Sequence, residues 1–215
     1  MTVLITGANR GIGRGLYDHY RTNGVPVMGT SRAGAAPFQQ LDVCDSASLA
    51  ALGDRLQGTA LDLLICNAGV YLDKAESLET GYAGELWAQT FATNVAGVFR
   101  TVQSLLPNLR RVNAPKIAII SSRMASHERA PGGSYIYRAS KAAVLNLGRN
   151  LATDLHNDGI AVGIYDPGWV VTDMGGSGAE ITVAASVKGL SDRFAELSKA
   201  TTGCFRCWDG RPQSY

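Results

Sequence analysis

The chain has 215 residues, 46% of them hydrophobic and 18% charged, with a formal net charge of +2. That length suits one domain over residues 1–215 with a sizeable core, and the charge is too small for a general nucleic-acid binder. No apolar run reaches the length of a bilayer span, and the start, MTVLITGANRGIG, has neither the charged flank nor the cleavage site of a signal peptide; a cytoplasmic location is expected.

Apolar runs such as VLIT, LLIC and IAII alternate with helical patterns along the chain. Strands are predicted at Thr2–Thr6, Val25–Thr30, Phe38–Leu41, Leu61–Cys66, Lys116–Ser121, Ile160–Tyr165 and Gly203–Trp208. Helices are predicted at Gly11–Asn23, Ser46–Gln57, Leu86–Leu106, Tyr137–Asp158 and Val183–Ser198. Unbroken apolar strands suit a parallel sheet covered on both faces. The alternation therefore predicts an α/β fold, a single doubly wound, mainly parallel seven-stranded sheet with helices on both sides. The glycine-rich stretch Gly175–Gly178 reads as a surface loop or as part of a lid.

The first strand runs into Thr6-Gly7-Ala8-Asn9-Arg10-Gly11-Ile12-Gly13 and then a helix. Glycines there permit a tight turn and close approach of a phosphate to the backbone. The helix N-terminus offers it unpaired N–H groups. The spacing is Gly-x-x-x-Gly-x-Gly, and its place between the first strand and first helix makes it a dinucleotide site. A carboxylate ending the second strand would mark NAD. The chain has Ser31-Arg32 there instead, a hydroxyl and a guanidinium able to grip a 2′-phosphate. With Arg10 as a second cation, the expected cofactor is NADP(H).

The stretch SYIYRASKAAV carries two tyrosines ahead of one lysine. Tyr137 and Lys141 are four apart and share a helix face, whereas Tyr135 projects elsewhere or precedes the helix. A nearby ammonium lowers the pKa of a phenol, whose reference value is about 10. Tyr137 is thus the candidate acid/base for a carbonyl oxygen.

Together TGANRGIG, Asn67-Ala68-Gly69, Asn94, Ser121-Ser122, YRASK and Pro167-Gly168 resemble the short-chain dehydrogenase/reductase family. SSRM, YRASKAA, PGWVVTDMGG and FRCWDGRP are more similar to its branch of C-factor signalling proteins and sniffer-type carbonyl reductases. The resemblance implies a Rossmann-type fold and assigns roles by position. Tyr137 is the acid/base, Lys141 lowers its pKa and bonds the nicotinamide ribose, and Ser122 polarises the substrate oxygen. Asn94 supports a water-linked proton relay. Asp42 and Val43 contact the adenine, and Asn67, Ala68 and Gly69 border the adenosine ribose. Pro167, Gly168, Val170 and Thr172 surround the nicotinamide and phosphates. The expected activity is NADP(H)-linked carbonyl reduction or its reverse on small aldehydes, ketones or alcohols. A C-factor-like signalling protein with little turnover is the alternative. A homo-oligomer is also implied.

The chain departs from the family pattern in places. Cys66 replaces a first asparagine and is expected to pack. Asp166 stands where the branch often has histidine, so that side of the pocket differs in charge. The interval from Ser122 to Tyr137 is two residues longer than usual; the APGG loop absorbs it, and Ser121 stays a second candidate. Trp169 reads equally as a cavity wall or a packing residue. Cys204 and Cys207 read as ordinary thiols, since residues three apart on a strand face opposite ways. His19, His127 and His156 are not at metal spacing, and no metal is expected. Asp73, Lys74, Glu76 and Glu79 read as a solvated loop.

Overall fold

A computed structural model describes residues 1–215. Seven parallel strands form one sheet. They are β1 (Val3–Ile5), β2 (Val27–Ser31), β3 (Gln39–Gln40), β4 (Leu63–Cys66), β5 (Lys116–Ile120), β6 (Ala161–Asp166) and β7 (Phe205–Cys207). Their spatial order is β3-β2-β1-β4-β5-β6-β7. Chain order reverses between β1 and β4, which opens a crevice beyond their C-terminal ends, where such sheets bind ligands.

Six helices complete the fold: α1 (Gly11–Thr22), α2 (Ser46–Arg55), α3 (Gly84–Phe91), α4 (Gly97–Leu109), α5 (Tyr135–Asp154) and α6 (Val183–Glu196). Alternation along the strands divides the core in two. Leu4, Leu64, Ile117, Ile119 and Val162 face α2, α4 and α5. Val3, Ile5, Leu63, Ile65 and Ile120 face α1 and α6, where Leu16, Leu190 and Phe194 meet them. Burying one such aliphatic side chain contributes about 1.5–3 kcal/mol. Because both faces are covered, the central strands read as unbroken apolar runs rather than alternating ones. No helix is long and apolar enough to cross a membrane.

Two differences from the sequence reading bear on the site. The predicted helix Leu86–Leu106 is α3 and α4 joined by a π-helical turn at Ala92–Ala96. Asn94 lies inside that turn with its side chain drawn into hydrogen bonds with Val70 and Ser140. Such widened turns often mark functional positions. Helix α5 begins at Tyr135, two residues early, because a distant group caps it. Asp73 is only 1% exposed and accepts the N–H of Ile136 at 2.8 Å and of Tyr137 at 3.2 Å. The reading of Asp73 as part of a solvated loop is therefore wrong.

Candidate active site

The turn after β1 is shaped by contacts that exclude side chains. A Cβ on Gly13 would lie 2.2 Å from the Gly7 carbonyl oxygen and 2.4 Å from Asn67 Nδ2. Gly7 and Gly11 take φ of 66° and 54°, which favours glycine. Asn67 Nδ2 donates to the carbonyls of Thr6 and Gly7, both at 3.0 Å, and the Thr6 hydroxyl accepts from the N–H of Asn67 and of Ala68 at 3.0 Å. Asn67 and Ala68 thus lace the end of β4 to the glycine turn. Helix α1 opens there with no side-chain cap and no acid in its first turn. Its N–H groups and its positive end are left to an anion, so the turn fits a bound pyrophosphate.

The other expected cofactor residues are placed as follows. Ser31 is buried at the end of β2 and its Oγ accepts the Gly34 N–H at 3.2 Å. Arg32 beside it is exposed, as is Asn9. Arg10 is also exposed, but its guanidinium sits 3.4 Å from Asp173, a weak pair at the surface. Asp42 Oδ1 accepts the Cys44 N–H at 2.9 Å. Val43 is buried, packed where a Cβ on Gly97 would come within 2.8 Å of it. Thr172 lies over the glycine turn, its methyl 3.4 Å from the Cβ position of Gly11.

A cavity of about 850 Å³ runs from Ile12 and Thr172 to Ser122 and Tyr137, with Pro167, Gly168 and Val170 in its wall. Trp169 also lines it, and its indole N–H donates to the Gly175 carbonyl at 2.8 Å. That bond pins the glycine-rich loop against the cavity and makes Trp169 a wall. Both serines line the cavity, but their hydroxyls are held differently. Ser121 is 2% exposed and its hydroxyl donates to the Lys141 carbonyl at 3.2 Å. Ser122 Oγ accepts the Met124 N–H at 3.1 Å and lies close enough to Tyr137 to act on its phenol.

Lys141 Nζ sits 5.6 Å from the centre of the Tyr137 ring and donates to the Ile120 carbonyl at 3.0 Å. Gly69 closes this corner: a Cβ there would lie 3.3 Å from Asn94 Oδ1 and 3.7 Å from Lys141 Nζ. Asn94 is 1% exposed. Its Oδ1 accepts the Val70 N–H at 2.8 Å, while Nδ2 donates to the Val70 carbonyl at 2.9 Å and to Ser140 Oγ at 3.0 Å. The amide clamps the chain after β4 to helix α5. Tyr71, which the sequence did not single out, stacks on Tyr137 with ring centres 4.2 Å apart, and its hydroxyl hydrogen-bonds Ser134.

The electrostatics differ from expectation. Burial pushes the Tyr137 phenol well above its usual range, with Asp166, Tyr71 and Asp73 adding to the rise and Ser122 opposing it. Burial also pushes Lys141 down to about 8. Spacing alone points to an ammonium acidifying a phenol; in the folded chain burial is the largest influence on the phenol, and it raises it. Burial raises Asp166 too, against hydrogen bonds from the backbone N–H groups of Gly168 and Arg123.

Of the cysteines, Cys207 reaches a residue of the cavity lining, Asp166. Cys66 is 2% exposed, and burial lifts its thiol to about 12. Cys204 Sγ approaches the Tyr165 hydroxyl and Cys207 Sγ the Asp166 carboxylate. All four thiols are free.

Comparison with known proteins agrees with this geometry. The profile of the short chain dehydrogenase family matches residues 1–180. The 1-hydroxy-2-glutathionyl-2-methyl-3-butene dehydrogenase of Rhodococcus sp. (strain AD45) is 32% identical over 225 residues, covering 97% of each chain. The C-signal of Myxococcus xanthus is 36% identical over 151 residues, covering 70% of this chain and 90% of its own. The structure of NADPH bound carbonyl reductase from chicken fatty liver superposes with a TM-score of 0.91 at 30% identity, over 100% of this chain and 98% of that one. The C-signal and carbonyl-reductase likenesses fall in the branch that SSRM and YRASKAA pointed to. By its glycine turn, its Tyr137–Lys141 helix and these relatives, the chain belongs to the short-chain dehydrogenase/reductase family.

Proposed function

We propose that this oxidoreductase is an NADP(H)-dependent carbonyl reductase acting on a small aldehyde or ketone, or on the alcohol in reverse. The observation that carries the reading is the single cavity joining the glycine turn at Ile12 to Ser122 and Tyr137. Arg32, exposed at the end of β2 with no carboxylate beside it, is the partner for a 2′-phosphate. The NADPH bound to the chicken reductase supports the same cofactor here.

When bound, NADPH would supply the hydride. Tyr137 Oη would give a proton to the carbonyl oxygen as the carbonyl carbon takes a hydride, leaving the alcohol. Ser122 Oγ donates a hydrogen bond to the same oxygen and orients it. Lys141 Nζ, one helical turn from Tyr137, stabilises the phenolate left behind. Burial raises the Tyr137 phenol above its usual range, which favours the protonated form an acid needs. Asn94 holds the Val70 backbone and Ser140, which fixes the floor beneath the lysine. Assembly into a homo-oligomer would cover Trp87 and Phe99, exposed on α3 and α4.

The test is NADPH oxidation against a panel of aldehydes, ketones and quinones, with Tyr137→Phe as control. Turnover that falls ~10²–10⁴-fold in the variant supports the reading. The likeness to C-signal favours a second reading, a cofactor-binding signalling protein. Tight NADPH binding without turnover on any substrate would select it. Ser122→Ala is expected to lower turnover far more than Ser121→Ala; the reverse order would reassign the serine.

A further inference from the structure

The cavity is strongly unbalanced in charge. Lys74, Arg123, Arg129 and Arg138 line it, against one carboxylate, Asp166. That carboxylate is already engaged by the Gly168 N–H at 3.1 Å, by Gln213 Nε2 at 3.2 Å and by the Cys207 thiol. Lys74 Nζ donates to the Met174 carbonyl at 2.7 Å. Arg123 has Glu180 at 3.7 Å, with 59% of the glutamate side chain exposed. Arg129 and Arg138 form no ion pair at all.

Arg138 follows Tyr137 directly on α5. Its Nη1 donates to the Arg129 carbonyl at 3.3 Å, while its Nε is buried without a partner. The Arg129 carbonyl takes only Nη1, Arg138 lines the cavity, and a guanidinium can present paired N–H groups to the two oxygens of a carboxylate. The arrangement depends on the loop after Ser122. That loop bends back at Gly132, Gly133 and Ser134, with φ of 83°, 68° and 49°, and so brings the Arg129 carbonyl to Arg138 Nη1.

We propose that this cavity takes carbonyl substrates that also carry an anionic group, a carboxylate in the simplest case, and that Arg138 with Arg129 holds that group. The inference rests on the carbonyl-reductase reading for its chemistry but not for its binding. A guanidinium fixed one residue from the acid/base would hold the charged end of the substrate while the carbonyl meets Tyr137 and Ser122.

Two measurements test it. In the first, kcat/KM with NADPH is compared for 4-carboxybenzaldehyde and benzaldehyde, in wild type and Arg138→Gln. The charged aldehyde is expected to be preferred at least 10-fold, the ratio to collapse toward one in the variant, and the preference to shrink as salt rises. In the second, binding of benzoate and of benzyl alcohol to NADPH-saturated protein is measured by calorimetry. Benzoate is expected to bind more tightly, and Arg138→Gln to weaken it at least 10-fold. Turnover of both aldehydes without preference would overturn the proposal and leave the enzyme reading standing. Arg138-dependent benzoate binding with no turnover of either aldehyde or of any compound in the carbonyl panel would sink the enzyme reading and keep the anion site. If Arg138→Gln instead weakens NADPH itself, the guanidinium serves the cofactor and the proposal falls.

Discussion

Asp73 reaches across 64 positions of sequence to accept the backbone N–H of Tyr137, the candidate acid. The same carboxylate takes the N–H of Ile136 at 2.8 Å. No side chain in α5's own N-terminal stretch caps the helix, and Ser134 before it is left-handed. The chain after β4 therefore sets where Tyr137 starts. Asp73→Ala should lower stability by about 1–2 kcal/mol, the cost of losing a good cap, read from urea melts. Turnover should fall more than NADPH affinity does, because the phenol shifts while the glycine turn stays. Asp73→Asn, which keeps an acceptor oxygen, should recover part of both. A variant that loses stability but keeps full kcat would show the cap to be structural only.

The glycine turn gives a steric prediction. Any side chain on Gly13 meets the backbone of Gly7, only 2.2 Å from the Cβ position. Backbone cannot yield as a flexible side chain can. Gly13→Ala should destabilise the fold by ~1–3 kcal/mol and weaken NADPH binding at least 10-fold by fluorescence titration. Gly24, whose Cβ position has open space but whose φ is 71°, is the comparison: Gly24→Ala should cost backbone strain alone and leave cofactor affinity unchanged.

Cofactor choice should turn on one exposed arginine. Arg32→Asp removes the guanidinium and supplies the carboxylate that bonds a ribose 2′-hydroxyl. The ratio of kcat/KM for NADPH over NADH should drop by about 100-fold or more, given the strength of arginine–phosphate pairs. Arg10→Ala should change that ratio less, because Arg10 already leans toward Asp173. Unchanged selectivity in Arg32→Asp would remove Ser31-Arg32 from the phosphate site.

The strands were legible because apolar runs such as LLIC and IAII admit few other readings, and the glycine turn because it sits between a strand and a helix. Their spatial order came from the structure. The π-helical turn at Asn94 left no local signal, since its cause is a bond to Val70 in another part of the chain. Asp73 was misread for the same reason: a carboxylate among lysine and glutamates looks solvated until the helix it caps is folded against it. The pairing of Tyr137 with Lys141 was visible in spacing. What spacing could not carry was burial, which raises the Tyr137 phenol in the folded chain. Arg138 was passed over because it sat between two more telling residues.

Lys141 offers a sharper test of that burial. Its ammonium has a pKa lowered from 10.5 to about 8 by desolvation, a difference worth about 3 kcal/mol. Between those values the unfolded chain holds a proton that the folded chain has released, so stability rises with pH across the window and the full penalty applies below about pH 8. Lys141→Met removes the penalty along with the bond to Ile120, itself worth about 1 kcal/mol. At pH 7 the variant should therefore melt several degrees above wild type, although its turnover is lost. The gap should narrow steadily as pH is raised from 8 toward 10. A gap that stays constant with pH would mean that Lys141 remains charged throughout, held by a partner strong enough to offset its burial.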